Sequence, residues 1–82
     1  MTQIKATTLN SLIEKSKTKQ DGVWASGLYL YAVKDGRLGW IGNRVTGEVA
    51  QLAYGFLVPL GRVESYKLKK TMKTLVLEGK LA

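Results

Sequence analysis

The 82 residues suffice for one small domain with one hydrophobic core, and 45% of them are hydrophobic. Cysteine and histidine are absent, which excludes disulfides, thiolate metal sites and the commonest general base. Thirteen Lys and Arg residues against six Asp and Glu give a formal net charge of +7, which favours anionic partners such as nucleic acid, acidic protein surfaces or anionic lipid. We therefore expect residues 1–82 to form a single globular domain.

The N-terminal segment is predicted to form a short helix from about Thr8 to Lys17. Thr7 and Thr8 are candidate N-caps, because a side-chain oxygen can accept from the first free backbone amides. The apolar stripe at helical spacing consists of Leu9, Leu12 and Ile13. The sequence has no signal-peptide core and no apolar run of membrane-spanning length, so we expect a soluble, cytoplasmic protein with no membrane contact.

A β-hairpin is predicted between Leu28 and Ile41. Its first strand is rich in aromatic and aliphatic residues, which suit a pleated surface. Asp35-Gly36 can supply the two positive φ angles that a type I′ turn requires. Val23 and Trp24 are predicted to start a further strand or to extend this one.

The predicted hairpin is apolar on both faces, whereas a half-exposed strand would alternate with polar residues. The residues on one face are Leu28, Leu30 and Ala32, and those on the other are Tyr29, Tyr31 and Val33. Because a short chain has few elements to cover both faces, we expect a homo-oligomer or a protein partner at a surface formed by Tyr29, Tyr31 and Trp40. Stacking of nucleic-acid bases on the tyrosines is the less favoured interpretation, since no RNA-binding signature accompanies them.

A second helix is predicted to begin near Glu48 and to end at Val58, before Pro59. Its apolar residues recur at helical spacing: Val49, Leu52, Ala53, Phe56, Leu57 and Leu60. With the segment that follows, this helix can be interpreted as an imperfect helix–turn–helix.

The segment from Arg62 to Gly79 is predicted to form a helix with separate apolar and basic faces. The apolar face consists of Leu68, Met72, Leu75 and Val76, and the opposite face of Arg62, Tyr66, Lys69, Lys70, Lys73 and Lys80. Six basic residues between Arg62 and Lys80 stand against Glu64 and Glu78, whereas a solvated face would usually mix signs. The cluster of like charges therefore indicates an anionic ligand, and a merely solvated lysine face is the alternative.

Motifs for catalysis, cofactor binding or metal binding are not found in the sequence. The acidic residues are scattered, and the glycines of the hairpin lack the lysine-serine pair of a phosphate-binding loop. Without histidine, a serine or threonine nucleophile would need a lysine base, and no such motif occurs. We therefore expect no enzyme activity, no cofactor and no metal ion.

These features together predict an α+β fold. The expected elements are a short N-terminal helix, a β-hairpin or three-stranded antiparallel sheet, and two C-terminal helices packed on it. The predicted function is non-enzymatic nucleic-acid binding, with DNA favoured, through phosphate contacts of the C-terminal basic helix. The residues assigned to these contacts are Arg62, Tyr66, Lys67, Lys69, Lys70 and Lys73.

The balance of basic residues favours binding to the nucleic-acid backbone. The chain has ten Lys and three Arg, and lysine acts as a point charge rather than as a bidentate base reader. The alternative function is that of a small accessory or inhibitory protein, of the kind encoded by phages or other mobile elements. Such a protein would bind a partner protein through the aromatic hairpin or the basic helix.

Overall fold

In the computed structural model, which describes residues 4–80, one five-stranded antiparallel sheet is preceded by one helix and followed by another. The strands lie in chain order, so each pairs with the next. The elements are α1 (Ala6–Ser16), β1 (Gly22–Ser26), β2 (Tyr29–Lys34), β3 (Arg37–Asn43), β4 (Glu48–Ala53), β5 (Phe56–Arg62) and α2 (Leu68–Glu78). The prediction of at most three strands and two C-terminal helices was therefore wrong.

The first helix agrees with the prediction in type and position, but its N-cap does not. α1 begins at Ala6 after Lys5, which makes no side-chain capping hydrogen bond, so Thr7 and Thr8 lie inside the helix. Its buried residues are Leu12 and Ser16, whose hydroxyl donates to the Leu12 carbonyl at 2.8 Å. Within the described residues, no helix is long and apolar enough to cross a bilayer.

The predicted hairpin is confirmed as β2 and β3. Asp35 and Gly36 have φ angles of 55° and 73°, as a type I′ turn requires. Ala32 pairs with Trp40 and Val33 with Leu38, which leaves Gly39 as the extra residue of a β-bulge. The further strand expected at Val23 and Trp24 is β1, which pairs antiparallel with β2.

The second predicted helix is instead the hairpin of β4 and β5, so the helix–turn–helix interpretation was also wrong. Tyr54 and Gly55 form its two-residue turn with φ angles of 53° and 79°. A β-carbon on Gly55 would meet no atom within 4 Å, so this glycine serves the turn rather than a close contact. Pro59 lies within β5, at the edge of the sheet, where the missing N–H is tolerated.

The two helices cover opposite faces of the sheet. α2 packs on β1, β2 and β3, and α1 packs against β3 on the other side. The buried cluster under α2 contains Leu30, Ala32, Trp40, Val49, Leu68, Met72 and Leu75. The cluster under α1 contains Leu12, Tyr31, Val33, Leu38 and Ile41. The apolar character of both hairpin faces is therefore explained within the chain.

Candidate nucleic-acid interface

The basic helix is oriented by its buried side. Leu68, Met72 and Leu75 are almost fully buried against the sheet, as the apolar stripe predicted. The helix starts later than predicted, because a 3₁₀ turn (Ser65–Lys67) precedes it. It ends where predicted: Gly79 takes a left-handed φ of 78°, and its N–H donates to the Leu75 carbonyl at 2.7 Å.

Burial of this stripe turns the lysines of α2 towards solvent. Lys69, Lys70 and Lys73 of α2 are all exposed, as is Lys67 in the 3₁₀ turn that precedes it. Among residues 4–80, none of the four forms an ion pair with a carboxylate; the ion pair found there joins Lys17 to Glu14 on α1, at 2.8 Å. The cationic surface of α2 is thus not neutralised by the described part of the chain.

Arg62 does not belong to this helix. It is the last residue of β5 and pairs in register with Glu48 of β4, whose carboxylate attracts its guanidinium. Arg62 therefore lies on the edge strand of the sheet, opposite an acidic residue in the register, and not on α2.

Arg44 is a basic residue near α2 that the sequence analysis missed. It follows β3, and its Nη1 donates to the Gly27 carbonyl at 3.1 Å. Its backbone N–H also donates to the Leu28 carbonyl, at 2.8 Å, so the turn between β1 and β2 holds it in place. Arg44 and Lys69 line one hollow of about 340 Å³, together with Ser65 and Tyr66.

Tyr66 is the aromatic residue of this surface, and its side chain is 77% exposed. The neighbouring Glu64 carboxylate, which interacts with the Tyr66 hydroxyl, raises the pKa of Tyr66 above the ordinary value of 10.0. The Lys67 ammonium lies over the ring, 5.7 Å from its centroid. Tyr66 therefore has a carboxylate near its hydroxyl and a cation beside one ring face.

The second hollow at Tyr66 lies along α2. It measures about 490 Å³ and is lined by Tyr66, Lys67, Lys70, Thr71 and Thr74. Thr74 donates its hydroxyl to the Lys70 carbonyl at 3.1 Å. Tyr66 thus contributes to the walls of two hollows, and each of them is also lined by basic side chains.

The three aromatic residues predicted to form a partner surface are not displayed together. Tyr31 and Trp40 are 2% and 5% exposed and lie in the clusters under α1 and α2 respectively. Tyr29 is half-buried at the margin of the cluster under α1. The premise of an uncovered aromatic face was therefore wrong, while self-association itself stays a prediction.

The aromatic side chains that are displayed on the sheet lie elsewhere, on the hairpin of β4 and β5. Tyr54 is 99% exposed at its turn, and Phe56 and Val58 are exposed along β5. Phe56 was predicted to lie in the apolar stripe of a helix, so this exposed surface of β5 was not predicted.

Comparison with protein-family models, with curated proteins and with solved structures found no match to this chain.

Proposed function

We propose that the protein binds nucleic acid without catalysing a reaction and contacts phosphates through the exposed lysines of α2. The observation that carries the proposal is the group of Lys69, Lys70 and Lys73, exposed on one helix and without an ion pair among residues 4–80. Like charges at this spacing repel one another by a few tenths of a kcal/mol per pair. A bound phosphate would attract each ammonium group and so offset the repulsion between the lysines.

Lysine chemistry supports binding to the backbone rather than recognition of base sequence. An ammonium group is a mobile point charge that meets a phosphate from many directions. The guanidinium of Arg44 adds a more rigid donor at the margin of the same surface, since it is held by the Gly27 carbonyl. Phosphate contacts carry no base information, so affinity should be similar for unrelated sequences.

The test replaces Lys69, Lys70 and Lys73 with glutamine and measures the salt dependence of DNA binding by fluorescence anisotropy. The slope of log K against log salt concentration is negative. If all three lysines contact phosphates, the magnitude of this slope decreases by about 2.7 for duplex DNA and by about 2.1 for a single strand. The fold should survive, because exposed lysines contribute little to the free energy of unfolding. A thermal melt of each variant checks this.

A matched variant separates the α2 surface from overall charge. Lys5, Lys15 and Lys17 are exposed at or on α1, on the other side of the sheet, and their replacement by glutamine removes the same net charge. We expect this control to leave the salt slope close to that of the wild type. Equal effects of the two triple variants would contradict the proposed surface. Failure of the wild type to retain any nucleic acid at about 50 mM salt would overturn the function and favour a protein partner.

A further inference from the structure

We infer that the nucleic acid bound by this surface is single-stranded, with one unpaired base stacked on Tyr66 and phosphates held in the hollows on either side. The inference rests on the proposed function and specifies the class of ligand. It starts from the position of Tyr66, which lines both the Arg44–Lys69 hollow and the Lys67–Lys70 hollow.

The ring of Tyr66 is suited to stacking. It is 77% exposed, and the Lys67 ammonium, 5.7 Å from the ring centroid, lies over one face, so the other face is open to a flat ligand. A tyrosine ring has few rotatable bonds, so it offers a large flat surface at a low cost in conformational entropy.

The charges around the ring favour a base beside it and phosphates farther out. The Glu64 carboxylate lies near the Tyr66 hydroxyl, whose pKa it raises, and would repel a phosphate placed there. Basic side chains line both hollows next to the ring, Arg44 and Lys69 in one and Lys67 and Lys70 in the other. The hydroxyls of Ser65 and Thr71, which also line these hollows, are potential donors to phosphate oxygens.

This alternation of charge, ring and charge matches a single strand better than a duplex. The bases of a duplex are stacked on one another and cannot offer a face to a side chain, whereas unpaired bases stack readily on exposed aromatic rings. Stacking is tolerant of sequence, which agrees with a surface that has lysines for phosphates and few groups for reading base edges.

The experiment compares Tyr66→Leu with Tyr66→Phe on a 12-nucleotide oligo-dT, on oligo-U, on the corresponding duplex DNA and on an abasic phosphodiester of equal length. Loss of a base–aromatic stack weakens binding by about 5- to 150-fold. We expect Tyr66→Leu to lose affinity in this range for whichever single strand the wild type binds, oligo-dT or oligo-U. Tyr66→Phe keeps the ring and should bind with near wild-type affinity. The oligo-dT and oligo-U arms distinguish DNA from RNA as the source of the strand.

Tyr54→Leu is the matched control, because Tyr54 is also exposed but lies on the turn between β4 and β5. It should bind as the wild type does. Tyr66→Leu should also leave the salt slope unchanged, since it removes no charge.

Two results would overturn the inference while leaving the proposed function intact. One is equal affinity of the wild type for oligo-dT, oligo-U, duplex and abasic strand, with the slope still lowered by the α2 lysine variant. The other is a loss of affinity in Tyr54→Leu as large as that in Tyr66→Leu. Absence of binding to all four ligands would instead overturn the proposed function, and this inference with it.

Discussion

The contact between Gly42 and Leu68 sets how closely the start of α2 approaches the sheet. A β-carbon added at Gly42 would lie 2.7 Å from Leu68 Cδ1 and 3.1 Å from its Cγ and Cδ2. Leu68 is 1% exposed, so the added methyl fits only if this packed side chain shifts. Overpacking of this kind costs about 1–3 kcal/mol, and we expect Gly42→Ala to lower the free energy of unfolding by that amount.

Gly39→Ala is a control on the same strand. A β-carbon there would lie 3.7 Å from the Ala32 carbonyl oxygen, which is an ordinary contact, and Gly39 does not have a positive φ. An alanine in a compatible conformation restricts the unfolded chain and stabilises by about 0.4–1 kcal/mol. Urea denaturation followed by tryptophan fluorescence should therefore move the two midpoints in opposite directions.

A double-mutant cycle tests the cause assigned to the Gly42→Ala effect. Leu68→Ala alone should cost about 2–5 kcal/mol, because it empties a buried volume. The new methyl at residue 42 would then occupy space that Leu68 has vacated, so the double variant should be less destabilised than the sum by at least about 0.5 kcal/mol. Strict additivity, or a Gly42→Ala variant as stable as Gly39→Ala, would contradict the reasoning.

Two further predictions concern the turn of β2 and β3 and the interaction of Glu64 with Tyr66. Gly36 has a φ of 73° and open space around its β-carbon position. Gly36→Val should therefore lower the free energy of unfolding by more than about 1 kcal/mol through backbone strain rather than through a clash. Asparagine tolerates a positive φ, so Gly36→Asn should melt closer to the wild type. An unchanged melting temperature for the valine variant would remove this explanation. Glu64→Gln should lower the raised pKa of Tyr66 towards 10.0, as measured by ultraviolet titration, and should strengthen oligonucleotide binding by removing a negative charge. Since the raised pKa favours neutral Tyr66 in the folded state, the contribution of this interaction to stability is present below pH 10 and declines as pH rises through the folded pKa. A Glu64→Gln variant with unaltered titration would refute the role assigned to Glu64.

The parts of the fold that could be predicted from the sequence are those fixed by local chemistry. Asp35-Gly36 demands a tight turn, and Gly79 ends a helix, whatever surrounds them. The segment from Glu48 to Arg62 was mispredicted because it is apolar at nearly every second position as well as at helical spacing. Tyr54-Gly55, a turn with two positive φ angles, decided between the two patterns, and a tyrosine in that role is not a usual sequence signal.

The same distinction applies to the candidate site. The exposed lysines of α2 could be predicted because spacing along one helix determines which side chains share a face. Arg44 could not, because its place beside Lys69 depends on how α2 crosses the end of β3. Arg62 was grouped with the lysines only because the helix was predicted to begin too early.

The placement of α2 also bears on the order in which the chain folds. Each strand pair of the meander is joined by a short connection, so the sheet can form by successive local steps. α2 instead returns across the sheet to β1, which brings together segments separated by four intervening strands. This contact carries the greatest loop-closure entropy of the helix–sheet contacts and is favoured to form last. In this order of folding, the mutually repelling lysines of α2 would come together on the surface after the sheet that anchors the helix has formed.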